Sequence, residues 1–392
     1  MDNYIYYTPT KVFFGLDYEN NIGKIIKEYG FSNILIHYGQ NSVVKSGLLD
    51  RVLDSVTKEN INYTLLGGVV PNPLLSKVLE GVKICKDKKI DFILAIGGGS
   101  VIDSAKLIAL GAKTDLNPWL FSIQKEKPHD GLKVGAILTL AAAGSEMSQS
   151  CVITNDETKE KRGFNNELNR ILFAIENPKL TYTVSKYQTA CGIVDIMMHT
   201  MERYYARLDE KILSDYMALS LLKAVKENGI TAYNNPEDYN SRALLMWASS
   251  LSHNDITGVG RPQIMPVHQI EHEISGMFEE VAHGAGLSAI YCSWARYTYL
   301  DNIKRFAEFA YEVFNVSRDV DEKEAALRGI DLLEEYFKQI NMPTSLSELG
   351  IDTSITTLKQ LAYNFTFKGQ RVVNDFKVID YDACLEILKM AR

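Results

Sequence analysis

The chain has 392 residues, of which 46% are hydrophobic and 23% charged, and its formal net charge is −7 at pH 7. This length exceeds that of a typical single core and predicts two or three globular domains. The negative charge argues against nucleic-acid binding, which needs a basic surface. No apolar run approaches the roughly 18 residues of a membrane span, and the first residues lack the features of a secretory signal. We expect a cytoplasmic protein that binds small molecules, not nucleic acid or membrane.

Up to about residue 178, short β-branched segments alternate with segments of helical spacing. This alternation predicts a largely parallel sheet with crossover helices. The predicted strands span 33–37, 63–66, 91–96, 135–140, 152–154 and 171–175, and the predicted helices span 47–59 and 74–87. The segment 91–96 is continuously apolar, as expected for a central strand that is buried on both faces.

Beyond Asn177-Pro178 the strand signals fade, and the segments 188–207, 211–226 and 241–252 have helical spacing. We therefore predict an α/β domain over 1–178 and an all-helical domain over 179–392. Because no flexible linker separates them, we expect the two domains to pack together and to enclose a ligand-binding cleft.

A glycine-rich turn, Gly97-Gly98-Gly99-Ser100, joins the strand at 91–96 to a predicted helix. Backbone N–H groups at such a helix start favour a pyrophosphate, although an ordinary strand-to-helix turn would look the same. A second turn of small residues, 139–146, follows another strand and is expected to contact the same ligand. Asp103 is expected in the first turn of the helix, where it would suit the helix dipole as a cap but repel a phosphate.

Five of the seven histidines lie between positions 199 and 283. The pairs Asp195/His199 and His268/His272 each have the i, i+4 spacing that puts two side chains on one helix face. A single buried histidine or aspartate is more commonly a hydrogen-bonded core residue. Two such pairs followed by His283 predict a metal site, since an unpaired buried carboxylate would be costly.

Several motifs occur in a fixed order along the chain: Pro71-Asn-Pro73, the segment 91–106 with the glycine turn, Gly144-Ser-Glu146, Asp195-x-x-x-His199, His268-x-x-x-His272 and His283-Gly-Ala-Gly-Leu. Each is weak alone, but the ordered set resembles the iron-containing, or group III, alcohol dehydrogenases. The resemblance covers nearly the whole chain and is strongest to the butanol dehydrogenase-like branch of that family.

The resemblance implies a Rossmann-like nucleotide domain, a helical catalytic domain of the dehydroquinate synthase-like fold, and an active site between them. The implied metal ligands are Asp195, His199, His268 and His283. His272 would lie near the metal without binding it and would either relay a proton or orient the metal shell. The implied cofactor-binding residues are Gly39, Ser42, Gly97, Gly98, Gly99, Ser100, Asp103, Thr139, Leu140, Ser145 and Lys161.

The implied metal site offers three imidazoles, one carboxylate and no thiolate. Such donors suit Fe(II), Zn(II), Co(II) or Mn(II); the family favours Fe(II), with Zn(II) as the alternative. The metal would polarise an alcohol or aldehyde oxygen while a nicotinamide carries the hydride. The five scattered cysteines contain no Cys-x-x-Cys pair and are expected to be reduced and structural.

The end of the first strand predicts which dinucleotide is used. An acid there would bind the ribose 2′-OH and repel a 2′-phosphate, but His37-Tyr-Gly-Gln-Asn-Ser42 contains none. Relatives that prefer NAD have an aspartate at the position of Gln40, and relatives that use NADP have Gly-Gly-Gly-Ser, of which this chain keeps Gly39 and Ser42. We therefore predict a preference for NADPH, with NADH as the alternative.

Three other functions share some of these features. Glycerol-type dehydrogenases and metal-dependent lyases resembling dehydroquinate synthase have the same architecture, but a phosphorylated substrate would need a dense cationic cluster. Only Lys161, Arg203 and Arg261 lie near the motifs. A nucleotide-binding regulator would not need four metal ligands. The sequence therefore favours a small primary alcohol or aldehyde, such as butanol or butyraldehyde, and the resemblance implies a homodimer.

Overall fold

The computed structural model describes residues 1–206 and 210–392. Within them the chain forms two compact units. The first unit is Tyr7–Thr183, and the second is Val184–Arg392 together with Met1–Tyr6. The predicted domains, a dinucleotide-binding part over 1–178 and a metal-binding part over 179–392, stay a prediction. The compact units do not show which ligand each part binds.

The first unit contains a six-stranded parallel sheet and a separate β-hairpin. Its strands are β1 (Lys11–Phe14), β2 (Asn33–Gly39), β3 (Asn62–Val69), β4 (Phe92–Gly97), β5 (Lys133–Leu138), β6 (Ser150–Asn155), β7 (Glu160–Asn165) and β8 (Phe173–Glu176). Its helices are α1 (Ile22–Glu28), α2 (Ser42–Lys45), α3 (Leu48–Lys58), α4 (Leu75–Asp87), α5 (Gly99–Gly111) and α6 (Trp119–Ser122). The sheet order is β1-β8-β5-β4-β2-β3, and β6 pairs with β7 in an antiparallel hairpin.

The strand β4 lies at the centre of the sheet because every residue in it is buried and apolar or glycine. Tight packing at this level depends on a glycine in the neighbouring strand β5. A Cβ atom at Gly135 would lie 2.5 Å from the ring of Phe173 and 2.8 Å from that of Phe92. The two rings stack with centroids 5.7 Å apart and fill the apolar layer at the amino ends of β4 and β8.

The second unit is helical except for one short ribbon. Its elements are α7 (Lys186–Tyr205), α8 (Leu213–Asn234), α9 (Tyr239–His253), α10 (Pro266–Met277), α11 (His283–Thr298), α12 (Ile303–Phe314), α13 (Glu322–Gln339), α14 (Ile355–Phe365), β9 (Val373–Asn374), β10 (Val378–Ile379) and α15 (Tyr381–Met390). No helix within 1–206 and 210–392 is long and apolar enough to cross a membrane.

The helix α7 is buried continuously from Thr189 to Tyr205. It begins where the Ser185 side chain accepts a hydrogen bond from the Gln188 N–H at 3.2 Å. At its other end, Arg261 donates to the carbonyls of residues 203 and 204, and to Asp215 Oδ1 at 2.5 Å. Arg305 also donates to Asp215 Oδ1, at 2.7 Å, so a buried ion cluster holds the carboxyl end of α7.

The fold class predicted from the sequence, a parallel α/β part followed by a helical part, is confirmed. Some details differ. The predicted strand 152–154 belongs to the hairpin and not to the main sheet, while the strands β1 and β7 and the ribbon β9–β10 were not predicted. The predicted helical segment 188–207 ends at a residue outside those that the structure describes.

Candidate metal centre and nucleotide loop

The four predicted metal ligands meet at one carboxylate oxygen within the helical unit. Asp195 and His199 lie one turn apart on α7, with Asp195 Oδ1 3.1 Å from His199 Nδ1. His268, on α10, has its Nε2 3.6 Å from the same oxygen, and His283, at the start of α11, has its Nε2 3.7 Å away. The structure therefore brings together donors from three helices around Asp195 Oδ1.

The burial of these donors makes a bound cation a good physical fit. Asp195, His199 and His268 are each only 4–5% exposed. Among the described residues, neither Asp195 Oδ1 nor His268 Nε2 has a hydrogen-bond partner. A buried carboxylate oxygen and a buried imidazole nitrogen without partners carry a desolvation cost that a divalent ion between them would remove.

Electrostatics act differently on the donors. Asp195 and His199 are held in the forms that metals bind, whereas for His268 burial lowers the pKa but Glu202 and Asp195 outweigh it and raise the pKa to about 9, so a metal would displace that proton. Burial by itself raises the pKa of Asp195, but the neighbouring His199, His268 and His283 outweigh it and hold this pKa well below its usual range. Burial lowers the pKa of His199 to about 4, so its imidazole is neutral. The Nδ1 of His199 lies 3.0 Å from the Asp195 carbonyl oxygen, which assigns its proton to Nδ1 and leaves Nε2 as the donor to a metal.

Two buried glutamates hold the other histidines and were not predicted from the sequence. Glu202, on α7, accepts a hydrogen bond from His268 Nδ1, and Glu271, on α10, accepts one from His283 Nδ1. The two glutamates are 1% and 0% exposed. No local signal in the sequence marks either of them, since Glu271 stands beside His272 and Glu273 in α10 and Glu202 stands beside Arg203 in α7.

His272 lies beside this group of ligands. Its ring centroid is 5.7 Å from that of His283, and it forms a second potential donor group with Glu271 and His283. The structure thus places His272 next to the predicted ligand His283, and the expectation that it is not itself a ligand stays a prediction.

His253, which was not predicted to be a site residue, packs against His199. Its ring centroid is 4.0 Å from that of His199, and its Nδ1 accepts a hydrogen bond of 2.9 Å from Arg203. Burial, helped by nearby His199 and Arg203, holds the pKa of His253 well below its usual value. Arg203 also donates to the carbonyls of residues 199 and 252, so its guanidinium braces the site from inside the core.

In the first unit, the two predicted turns pack against each other. Gly97 ends β4 and Gly99 begins α5, with Gly98 as the N-cap residue. A Cβ atom at Gly98 would lie 3.2 Å from the Cβ of Leu140, and one at Gly99 would lie 3.1 Å from the Cβ of Ala143. The structure thus brings the glycine turn and the turn at 139–145 together, and leaves little room for side chains at either glycine.

Asp103 is not in the first turn of α5, and the prediction that it acts as a cap is wrong. Gly98 caps the helix without a side-chain bond, and Asp103 lies one turn further on. Its Oδ1 accepts from Ser145 Oγ at 2.5 Å and its Oδ2 accepts from the Val152 N–H at 2.9 Å. Burial raises the pKa of Asp103, and Lys106 opposes this shift.

Lys106 completes this buried network. Its Nζ donates at 2.7–3.2 Å to three carbonyl oxygens, those of residues 145, 148 and 150, and to Ser145 Oγ. The Asp103–Lys106 pair therefore holds the backbone between 145 and 152 in one conformation beside the glycine turn. Asp103 and Ser145, both predicted cofactor-binding residues, take part in it.

The remaining predicted cofactor residues lie at the ends of strands or in the hairpin. Gly39 ends β2 and Ser42 begins α2, while Thr139 donates its N–H to the Gly97 carbonyl at 3.1 Å. Lys161 is buried in β7, where it pairs with Thr154 of β6. These positions all belong to the first unit, as do the two turns.

Comparison with known proteins gives matches along nearly the whole chain. The family model "Iron-containing alcohol dehydrogenase" matches residues 9–178, and the model "Fe-containing alcohol dehydrogenase family, C-terminal" matches residues 189–392. The chain is 38% identical to the probable NADH-dependent butanol dehydrogenase 1 of Bacillus subtilis over 99% of each chain. It is 31% identical to the NADPH-dependent aldehyde reductase YqhD of Escherichia coli over 100% of each chain.

A solved crystal structure has the same fold as this chain along its whole length. The crystal structure of NADH-dependent butanol dehydrogenase A from Thermotoga maritima superposes with a TM-score of 0.95 at 32% identity, covering 100% of this chain and 99% of that one. The two relatives and this structure match both the α/β unit and the helical unit.

Proposed function

Since the chain belongs to the iron-containing alcohol dehydrogenase family, as its motifs predicted, we propose that it interconverts small primary alcohols and aldehydes with NAD(P)H. Butanol and butyraldehyde are the proposed test substrates. One observation carries the proposal: Asp195 Oδ1, buried without a hydrogen-bond partner among the described residues, has two imidazole Nε2 atoms within 3.7 Å. This is the arrangement expected of a metal site that must polarise a substrate oxygen.

Asp195, His199, His268 and His283 are the proposed metal ligands. Iron is the proposed metal and zinc the alternative, because a set of three imidazoles and one carboxylate suits both ions. When bound, the metal supplies Lewis-acid polarisation of the substrate oxygen, and the nicotinamide carries the hydride.

The chain's own residues orient these donors and bury three of them, Asp195, His199 and His268. His199 is neutral at physiological pH because burial lowers its pKa to about 4, so it needs no deprotonation before it can bind a metal. His272 is proposed to move a proton between the substrate oxygen and solvent, since it lies next to His283 and is only partly buried. The alternative is that it only orients the neighbouring donors.

The glycine turn Gly97–Ser100 is proposed to hold the cofactor pyrophosphate through backbone N–H groups at the start of α5. The other proposed contacts are Gly39, Ser42, Asp103, Thr139, Leu140, Ser145 and Lys161. Of the three proteins compared above, two are named as NADH-dependent and one as NADPH-dependent. We propose NADPH for this chain because the first acid after β2 is Asp50 and Lys45 precedes it; NADH is the alternative.

We also propose an oligomeric state and a location in the cell. A homodimer follows from the family resemblance. A cytoplasmic location is supported by the five cysteines, all within the described residues, which are buried and free of disulfides, as is typical of a reducing compartment.

The test is to follow cofactor oxidation with butyraldehyde by metal-free protein before and after anaerobic addition of Fe(II) or Zn(II). Turnover restored by metal is expected, and glycerol in the reverse direction serves as the comparison substrate. A folded, metal-loaded protein that oxidises neither NADPH nor NADH with any aldehyde would contradict the proposed activity. A kcat/KM strongly in favour of NADH would contradict only the choice of cofactor.

The proton-transfer role has its own test. His272→Gln is expected to lower kcat and to change its pH dependence while the metal content stays at the wild-type level. An unchanged pH profile together with lost metal would favour the orienting role.

A further inference from the structure

We propose that Glu202 and Glu271 are positioning residues that set the orientation and the tautomer of His268 and His283, and so determine the metal affinity of the site. This inference rests on the metal centre of the proposed function. Neither glutamate is a proposed ligand; each acts on the metal through a histidine.

The contact geometry assigns the ring protons. A carboxylate only accepts hydrogen bonds, so the histidine nitrogen facing it must carry the proton. His268 Nδ1 donates to Glu202 and His283 Nδ1 donates to Glu271. In the neutral ring that a metal binds, the lone pair is then on Nε2, and in both histidines this is the atom nearest to Asp195 Oδ1, at 3.6 and 3.7 Å.

His199 provides the comparison inside the same site. Its Nδ1 faces the main-chain carbonyl of Asp195, one turn earlier on the same helix. That acceptor comes with the α-helix and does not depend on any side chain. His268 and His283 have no such acceptor on their own helices, so their orientation depends on acids that lie on a neighbouring helix.

Glu202 has a second task, which separates it from Glu271. The helix α10 begins at Pro266, and its N-cap residue, Met265, makes no side-chain capping bond. Glu202, which lies on α7, caps α10 instead. Its carboxylate accepts hydrogen bonds from the Val267 N–H at 2.6 Å and the His268 N–H at 3.2 Å. Loss of Glu202 therefore removes a helix cap as well as the partner of His268.

Glu271 holds a histidine that is otherwise freer to rotate. The His283 side chain is 26% exposed, against 7% for that of His268. The backbone of α11 packs directly on Glu271, since a Cβ atom at Gly286 would lie 2.8 Å from Glu271 Cγ. The acid is thus held rigidly, and the histidine that it holds depends on it for orientation.

The test measures metal affinity, not turnover. Metal-free full-length protein is titrated with Zn(II) in competition with a chromophoric chelator, and the Co(II) absorption spectrum reports the ligand geometry. Glu271→Leu, which removes the acceptor at similar volume, is expected to weaken Zn(II) binding by about 10- to 100-fold. Glu271→Gln, whose amide oxygen can still accept the proton, is expected to lie between this variant and the wild type.

The matched control is Glu280→Leu, the same substitution at an exposed acid just beyond α10. It should leave Zn(II) affinity within about twofold of wild type, as a surface change outside the site. The melting temperature of metal-free Glu271→Leu should not fall, whereas that of Glu202→Leu should, because only Glu202 caps a helix. If both acids only stabilised the fold, the melting temperatures of both variants would fall.

Zn(II) binding by Glu271→Leu at wild-type affinity with an unchanged Co(II) spectrum would overturn the proposal. A wild-type protein that bound no Zn(II) or Co(II) would overturn the metal centre itself, and the positioning role with it. The two failures differ because the first leaves the wild-type site intact.

Discussion

The metal centre and the glycine turn contact their proposed ligands in opposite ways. In the helical unit, side chains from three helices supply the donors, and other side chains orient them. In the first unit, the proposed contacts are backbone N–H groups, and side chains such as Lys106 only shape the backbone. This difference predicts that the metal centre fails when one donor is lost, whereas the turn fails when its backbone shifts or its space is filled.

The largest expected effect comes from a ligand. Asp195→Ala should abolish metal binding and lower kcat/KM by about 10³-fold or more, because several kcal/mol of transition-state stabilisation are lost. Metal content by atomic absorption and steady-state rates would measure it. The control, Asp382→Ala, removes an exposed acid on α15 and should change neither quantity. An Asp195→Ala enzyme that still bound the metal would contradict the prediction that the metal centre fails when one donor is lost.

The next effect concerns the buried network of the first unit. Lys106→Met leaves Asp103, whose side chain is only 14% exposed, without its cation, which is expected to cost about 3 kcal/mol of the free energy of unfolding. Urea unfolding would measure the loss, and hydrogen exchange would show faster exchange across residues 145–152. Lys113→Met, the same change at an exposed lysine just after α5, should have almost no effect. Metal affinity should stay at the wild-type value, since Lys106 and the metal ligands belong to different units.

A smaller effect is expected at the turn itself. Gly99→Ala places a Cβ atom 3.1 Å from the Cβ of Ala143 and displaces the N–H groups at the start of α5. Losing one such hydrogen bond to a charged group costs about 1.5–3 kcal/mol, so the KM for the cofactor should rise roughly 10- to 100-fold.

Gly163→Ala is the matched control for this change. Its added Cβ would also meet a side-chain atom at 3.1 Å, that of Val152, but in the hairpin and not in the turn. If both variants raised the KM equally, crowding in general and not the turn would be responsible. Metal affinity should be unaffected in both.

The smallest expected effect concerns cofactor choice. Gln40→Asp puts a carboxylate just after β2, where it would repel a 2′-phosphate and accept a hydrogen bond from a 2′-OH. The ratio of kcat/KM for NADPH to that for NADH should fall about tenfold, equal to roughly 1.4 kcal/mol. Gln40→Asn keeps the amide and should leave the ratio close to that of wild type. A ratio insensitive to Gln40→Asp would mean that this position does not face the ribose.

Local patterns in the sequence predicted a large part of the molecule. The i, i+4 spacing of Asp195 and His199 was sufficient to place them on one helix face, because helix geometry depends only on residues close in the chain. The apolar segment 91–96 predicted the central strand for the same reason. The strand β1 was missed because it is only four residues long and its partner in the sheet, β8, lies more than 150 residues away.

The roles of Glu202 and Glu271 could not be predicted from such local patterns. Glu202 meets His268 across 66 positions of the chain, and Glu271 meets His283 across 12. Nothing local distinguishes a buried acid that holds a histidine from an acid on a solvated helix face. The same holds for Asp103. Its position in the sequence predicted a helix cap, but its carboxylate instead accepts hydrogen bonds from Ser145 and Val152, which lie in other elements.

The sequence by itself determined the class of each part and the glycine turn, since these depend on chain-local periodicity, and its resemblance to a family implied which four side chains are the proposed metal donors. Only the tertiary structure decided that Asp195, His268 and His283 converge, which nitrogen of each ring faces the carboxylate, and which buried groups brace them. The physical reason is that convergence and burial are properties of helices packed in three dimensions, and hydrogen-bond partners are chosen only once that packing exists.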